Sequence, residues 1–125
     1  MTIQMLLVLL TALELQESGG NKEAFNPVTG ATGILQITQP CLTDVNQRYG
    51  KAFVLGDMQN RTVARWIALR YLEMYRCQTY EECAKTFYAG PGWRKKQGKA
   101  KERVDRYWYS VNRIIYQLEM ESKKK

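Results

Sequence analysis

The chain contains no histidine, and that one absence removes several chemistries together. Ser-His-Asp and Cys-His machinery both need an imidazole to move a proton, so an enzyme built from this chain must work with carboxylates, tyrosine, lysine or thiols. Cysteine is scarce as well: Cys41, Cys77 and Cys83 are an odd number with no Cys-x-x-Cys among them. That rules out a fully paired intrachain disulfide framework, and without histidine it leaves structural zinc without its usual ligands. The spacing of Cys77 and Cys83 suits either a small closed loop or two thiols near one helix start, and a free cysteine commonly packs as a small buried hydrophobe.

Long apolar runs are also missing. The most apolar stretch, Ile3 to Leu13 (IQMLLVLLTAL), is too short to cross a bilayer. No positive charge precedes it, no clean small-x-small cleavage site follows it, and it continues into Glu14 and Glu17. We expect a buried first helix rather than a signal peptide.

What the chain does have is enough Trp, Tyr, Leu and Ile for one apolar core at a length of 125 residues, a size that suits one compact domain. Lys and Arg number 19 against 12 Asp and Glu, a net charge of +7. Such a surface draws in polyanions by salt-sensitive attraction. Nucleic acid, anionic lipid and bacterial cell-wall polymers all qualify, and charge does not choose among them.

Punctuation by Gly, Pro and Asn sets the expected elements. A first helix from about Thr2 to Gln16 stops at Ser18-Gly19-Gly20, which puts Glu17 at a helix end beside a very apolar surface. Asn26 to Gly30 reads as a turn, and Gly33 to Thr38 as a short extended or irregular segment. Pro40 opens a second helix to about Tyr49, and Gly50 to Gly56 connects it to a third over Asn60 to Arg76, dense in apolar positions. Thr79 followed by Glu82 has capping-box spacing for a fourth helix to about Tyr88, which Ala89-Gly90-Pro91-Gly92 ends. Val104, Trp108, Val111, Ile115 and Leu118 form one stripe of a last helix, with Ser122 to Lys125 expected to fray. The fold class is therefore mainly α, a single helical domain with a small irregular or hairpin patch after Glu17. The domain is expected over residues 1–120, with 121–125 as a basic tail.

Glu17 has the setting for acid catalysis. Protonating the leaving group of a glycosidic bond needs a carboxyl that stays protonated near neutral pH, which apolar surroundings favour, and Ile34 and Leu35 follow across the turn. By itself a Glu at a helix end is more often a solvated surface residue.

The order of motifs adds to this. Glu17-Ser18-Gly19-Gly20-Asn21, Gly30-Ala31-x-Gly33-Ile34-Leu35-Gln36, Phe87-Tyr88-Ala89-Gly90-Pro91-Gly92 and Tyr107-Trp108-x-x-Val111 follow one another in a series that resembles the soluble-type lytic transglycosylases. These are lysozyme-like α+β domains that cut peptidoglycan. The resemblance covers about residues 5 to 115. The CLTDVN of residues 41–46 and Tyr107-Trp108 are similar to the small versions found in phages and Bacteroides-type bacteria.

The resemblance implies that Glu17 acts as general acid and then general base, and that Ser18 hydrogen-bonds near it. Gln36 would contact the sugar or orient Glu17, and Tyr107 would reach the carboxylate or the substrate. Phe87, Tyr88 and Gly90 would belong to the substrate site. It further implies a substrate-assisted reaction that needs no second carboxylate and yields a 1,6-anhydro product, with no cofactor and no metal. The chain departs from the pattern at Tyr88, where the family usually has Asn; a phenol cannot copy an amide's paired donor and acceptor.

After Glu17, Glu14 and Glu23, Asp44 and Asp57 are the nearest candidates for a second carboxylate, which an inverting hydrolase would hold about 6.5–9.5 Å from the acid. Asp44 otherwise suits the electrostatics of a helix N-terminus, and Asp57 the closing of the connection before Asn60. Arg94 to Arg106 holds seven basic residues against two acidic ones; with Trp93 and Tyr107-Trp108 around it, this suits a nucleic-acid clamp, a solvated helix face, or a hold on anionic cell wall, with Trp93 free to stack on a sugar.

The expected activity is thus a lytic transglycosylase on peptidoglycan strands. The alternatives are a hydrolytic lysozyme or muramidase (endolysin) on the same scaffold, or an inactive module that binds cell-wall glycan or nucleic acid. Expected partners are glycan strands, with a holin or phage virion for access; no stable nucleic-acid complex is expected, and the protein should be a monomer made in the cytoplasm and acting on the wall, in the periplasm or from the virion.

Overall fold

A computed structural model describes residues 1–124. Five α-helices account for most of the chain: α1 (Ile3–Ser18), α2 (Gln39–Tyr49), α3 (Arg61–Met74), α4 (Tyr80–Ala89) and α5 (Gly98–Lys123). Short 3-10 turns occupy Leu55–Gln59 and Trp93–Lys95. The mainly α class expected from the sequence is what forms. The described residues group into two compact units, one from residues 1–16 and 75–124, the other from residues 17–74.

In the first unit, α1 is apolar on nearly all sides, yet only its second half is consistently covered. Leu9, Leu10, Ala12 and Leu13 are buried while Ile3 and Leu7 are 79% and 50% exposed, so the expectation of a buried first helix holds for its C-terminal half alone. No helix among the described residues is long and apolar enough to cross a membrane.

Thr79 caps α4 as its spacing implied, its hydroxyl accepting the Glu82 N–H at 3.1 Å. The Glu82 carboxylate completes the cap one residue further out than a standard box, accepting from the Gln78 N–H at 3.4 Å and the Thr79 hydroxyl at 3.2 Å. α4 then packs on α5 through an ionic and an aromatic pair. The Lys85 ammonium, nearly buried, meets Glu81 at 2.7 Å and Asp105 at 3.3 Å. Burial alone would lower its pKa, but hydrogen bonds to the two carboxylates outweigh that and raise it.

Trp93 closes this corner, its indole N–H donating to Thr86 Oγ1 at 3.0 Å. The Arg94 guanidinium lies 4.2 Å and the Lys85 ammonium 5.0 Å from the ring centroid. The Trp93 ring, for which stacking on a sugar was one of the expected uses, thus carries two cations from its own chain.

On α5 the buried positions are Val104, Tyr107, Val111 and Ile115. Trp108 and Leu118, expected in the same stripe, are only half-buried, because Tyr107 rather than Trp108 faces inward. The helix continues through Lys123, one residue past the expected start of fraying at Ser122, and Lys125 lies outside the described residues.

In the second unit, α2 and α3 are joined by edge-on aromatic contacts of Trp66 with Tyr49 (5.8 Å) and Phe53 (6.0 Å), with Lys51 and Arg70 over the indole. Leu42, Val45, Met58, Ala64, Ile67 and Ala68 are wholly buried. Asp57 closes the connection before α3 as expected, its carboxylate accepting the Val54 N–H at 2.8 Å and its carbonyl the Asn60 N–H at 3.0 Å.

Candidate active site

α1 runs two residues beyond its expected end, to Ser18, so Glu17 and Ser18 sit inside its last turn rather than after it. Gly19 and Gly20, at φ of +65° and +87°, then turn the chain out of the helix, a conformation that costs glycine little and other residues more. Glu17 is half-buried. The Ser18 hydroxyl donates to the Ile34 carbonyl at 2.8 Å and accepts the Asn21 N–H at 3.0 Å. That pair ties the end of α1 to the Gly-Ile-Leu-Gln segment sixteen residues away.

The segment itself is a compact loop rather than a sheet. Asn26 folds the first turn with its side-chain oxygen, which accepts the Val28 N–H at 2.9 Å and the Thr29 N–H at 3.3 Å. Single antiparallel bridges pair Phe25 with Thr32 and Thr32 with Ile37; this is the hairpin patch expected from the sequence, reduced to isolated bridges. Ile34, Leu35 and Ile37 are buried beneath it. Gly33, at φ +86°, lets the loop lie on the 3-10 turn so closely that a Cβ there would fall 2.0 Å from the Met58 carbonyl oxygen.

Gln36 holds the end of this loop in an unusual state. Its φ is +51°, left-handed backbone that costs a non-glycine residue of the order of 1 kcal/mol. Its side-chain NH2 donates to the Ala24 carbonyl at 3.2 Å and the Gly33 carbonyl at 3.0 Å. The amide nitrogen is therefore committed to the loop, and the amide oxygen is the atom left to meet a substrate or another side chain.

The other residues singled out in the sequence lie in the first unit. Tyr107 is 8% exposed and Tyr88 43% exposed, and their rings stack at 4.4 Å with an interplanar angle of 18°. Tyr88, standing where Asn is usual, thus fills its place with a ring committed to another ring. Gly90 caps α4 at φ +82°, ψ +174°, backbone open essentially to glycine alone, and its N–H bonds the Thr86 carbonyl at 2.8 Å. Its visible task is to end the helix. Phe87 is half-buried on α4.

Asp44 is the sixth residue of α2, and the first turn of that helix holds no acid. The expected interaction with the helix N-terminus is thereby corrected, since that field fades beyond the first turn. Asp57 is occupied with its turn, as above. Glu14, ranked with Glu17 and Glu23 ahead of the two aspartates among the carboxylates, is only 2% exposed and lies three residues before Glu17, on the same helical face.

All three cysteines are free thiols. The hydrogen bond offered by the Cys83 thiol stabilises the Cys77 thiolate and lowers the Cys77 pKa to about 6, against the opposing effect of its own partial burial. Cys83 is raised by the same bond and by burial, and burial pushes Cys41 up to about 12.

Chemically, the second unit supplies a frame held by glycine geometry and hydrogen bonds beside the half-buried Glu17 side chain; the first unit, by itself, carries a stacked pair of phenols. Among the described residues no group of three or more His, Cys, Asp or Glu is arranged to hold a metal ion.

No curated protein and no solved structure gives a significant match to this chain. The family model of the transglycosylase SLT domain matches residues 3–109, a span that takes in the helix bearing Glu17, the Gly-Ile-Leu-Gln loop and the Tyr88–Tyr107 pair. The chain belongs to the transglycosylase SLT domain family, a family of lysozyme-like, glycan-cleaving enzymes.

Proposed function

We propose that the protein is a peptidoglycan lytic transglycosylase in which Glu17 serves first as acid and then as base. The observation that carries this reading is the 2.8 Å bond from Ser18 to the Ile34 carbonyl. It joins the two segments that the family resemblance makes catalytic, and so fixes the residue next to Glu17 against a loop that glycine geometry and Gln36 hold rigid. Preorganised positioning of this kind is what a single-acid mechanism depends on.

In the proposed reaction Glu17 donates its proton to the oxygen between N-acetylmuramic acid and N-acetylglucosamine as the C1–O bond breaks. The acetamido oxygen of the same sugar bonds to C1 and stands in for the missing second carboxylate. Glu17, now a carboxylate, takes the proton from the 6-hydroxyl, whose oxygen displaces the acetamido group from C1. Water is not consumed, the ring closes as a 1,6-anhydro sugar, and Glu17 ends protonated as it began. We further propose that Gln36, through its amide oxygen, and Tyr107, through its hydroxyl, orient substrate or acid.

Digestion of purified sacculi followed by mass spectrometry tests the reading. The expected products are anhydro-muropeptides, lighter by one water than those of a hydrolase, and Glu17→Gln is expected to lower their rate at least about a thousandfold, the scale of losing a general acid and its electrostatics. Reducing-end products that take up labelled oxygen from water would instead assign a muramidase to the same scaffold. Lysis by Glu17→Gln at the wild-type rate would remove Glu17 from the chemistry, and wall binding without any cleavage by the wild type would leave a binding module.

A further inference from the structure

A second feature of the first unit lies outside the acid chemistry. Gln16, Tyr88, Arg103, Arg106, Tyr107 and Ser110 line a cavity of about 300 Å³. Arg103, Arg106, Tyr107 and Ser110 follow the three- and four-residue steps that put side chains on one helical stripe. No acidic residue lines this cavity, and neither arginine takes part in an ion pair or hydrogen bond among the described residues.

The nearby acids are otherwise placed. Asp105 is held by Lys101 at 2.8 Å and Lys85 at 3.3 Å, and Glu102, although four residues before Arg106, forms no bridge to it. The backbone positions of Arg103 and Arg106 are about 4.5 Å apart along the helix axis, within reach of one carboxylate for two long side chains. Both arginines are exposed, and their planar forks suit bidentate recognition of a carboxylate. The stacked rings of Tyr88 and Tyr107 give the same cavity a flat apolar wall.

A site with two unpaired guanidinium groups, an aromatic wall and no acid suits a carboxylate carried on an apolar stem. The glycan backbone of peptidoglycan is neutral, and the carboxylates of the substrate are those of the peptide stems hung from its muramic residues. Gln16, which lines the cavity, is peptide-bonded to Glu17. We infer that Arg103 and Arg106 form an anion subsite for a stem carboxylate, so that the enzyme prefers strands whose stems carry free carboxylates to strands whose stem carboxylates are amidated. This inference rests on the proposed reading of Glu17 for its link to cleavage, but the subsite itself is testable without it.

The test has two arms on the full chain. In the first, calorimetry follows binding of a soluble muramyl-peptide and of the same compound with its carboxylates amidated. The acid form is expected to bind at least about tenfold more tightly, the scale of one or two charge-assisted hydrogen bonds, and the Arg103→Gln, Arg106→Gln double variant should lose that difference. A Lys95→Gln, Lys96→Gln double variant, which removes the same charge from the exposed segment before α5, should keep it. Equal binding of the two compounds by the wild type, or equal losses in both double variants, overturns the subsite.

In the second arm, kcat/KM is compared on stem-bearing strands with free carboxylates and on the same strands with those carboxylates amidated. The wild type is expected to favour the free-acid strands about tenfold or more, chiefly through KM, and the arginine variant to narrow that ratio. A wild type that cuts both strands equally well overturns the specificity while leaving the Glu17 reading intact. If neither strand is cut but the binding difference holds, the catalytic reading has failed and the anion subsite has not.

Discussion

At the scale of single residues, Gln36 shows how strain and function are connected here. Its left-handed backbone is paid for locally by three hydrogen bonds, one from its own N–H to the Gly33 carbonyl at 3.0 Å and two from its side-chain amide. Gln36→Gly removes the amide bonds but also the backbone strain, and is expected to change stability by less than about 1 kcal/mol while lowering activity on sacculi more than tenfold. Gln36→Ala keeps the strain and loses the bonds, so it should be the less stable of the two by chemical denaturation. The reverse order would mean that the left-handed geometry carries no cost at this loop.

Cys77 permits a separate residue-scale prediction. Its thiol is made more acidic by the Cys83 hydrogen bond, to about 6, so alkylation at neutral pH should reach Cys77 before Cys83 or Cys41, with a rate that levels off above a midpoint near 6. The sign for stability follows: a folded-state pKa below the unfolded one favours the folded state as pH rises from about 6 toward the ordinary thiol range, and this contribution is lost as pH falls through about 6. Equal labelling of Cys41 and Cys77 at pH 7 would contradict the assignment.

At the scale of elements, the loop of residues 21–37 is held less by strand pairing than by close approach. Gly33 meets the Met58 carbonyl where a methyl group cannot fit, and its φ is left-handed as well. Unlike a clash with a flexible side chain, a clash with backbone has nowhere to relax. Gly33→Ala is therefore expected to cost about 2 kcal/mol or more, and to lower activity beyond the loss of folded protein because the Ile34 carbonyl that receives Ser18 moves with the loop. Calorimetric melting with activity measured on the folded fraction checks both; an unchanged melting temperature would show that the approach to Met58 is looser than described.

At the scale of the whole molecule, the net charge of +7 acts over distances that pairwise contacts do not reach. Lys85, Arg94 and Lys101 are spent on Glu81, Glu82 and Asp105, while Lys95, Lys96 and Lys99 stand exposed with no ion pair among the described residues. Attraction of such charges to an anionic wall is screened over about 10 Å at 0.1 M salt and about 3 Å at 1 M. Adsorption of the Glu17→Gln protein to sacculi should thus fall steeply as salt rises through that range. Cleavage of small soluble glycan fragments by the wild type should change far less. Adsorption indifferent to salt would assign wall affinity to specific contacts rather than to charge.

Local chemistry in the sequence was enough to determine the helices, the Thr79 cap, the turn at Asn26 and the closing role of Asp57, because helix periodicity, side-chain caps and glycine turns act between residues a few positions apart. The same order of motifs identified Glu17, Ser18 and Gln36 as candidates. Only the tertiary structure decided that Ser18 is bonded to Ile34, that Gly33 rests on Met58, that Gln36 turns its amide nitrogen into the loop, that Tyr88 stacks on Tyr107 and that Trp93 carries two cations. It also decided that Glu14 is buried, and that Arg103 and Arg106 stay unpaired beside an aromatic wall. Each of these depends on which distant segments meet and on which side of a helix they meet, and one-dimensional spacing does not encode that.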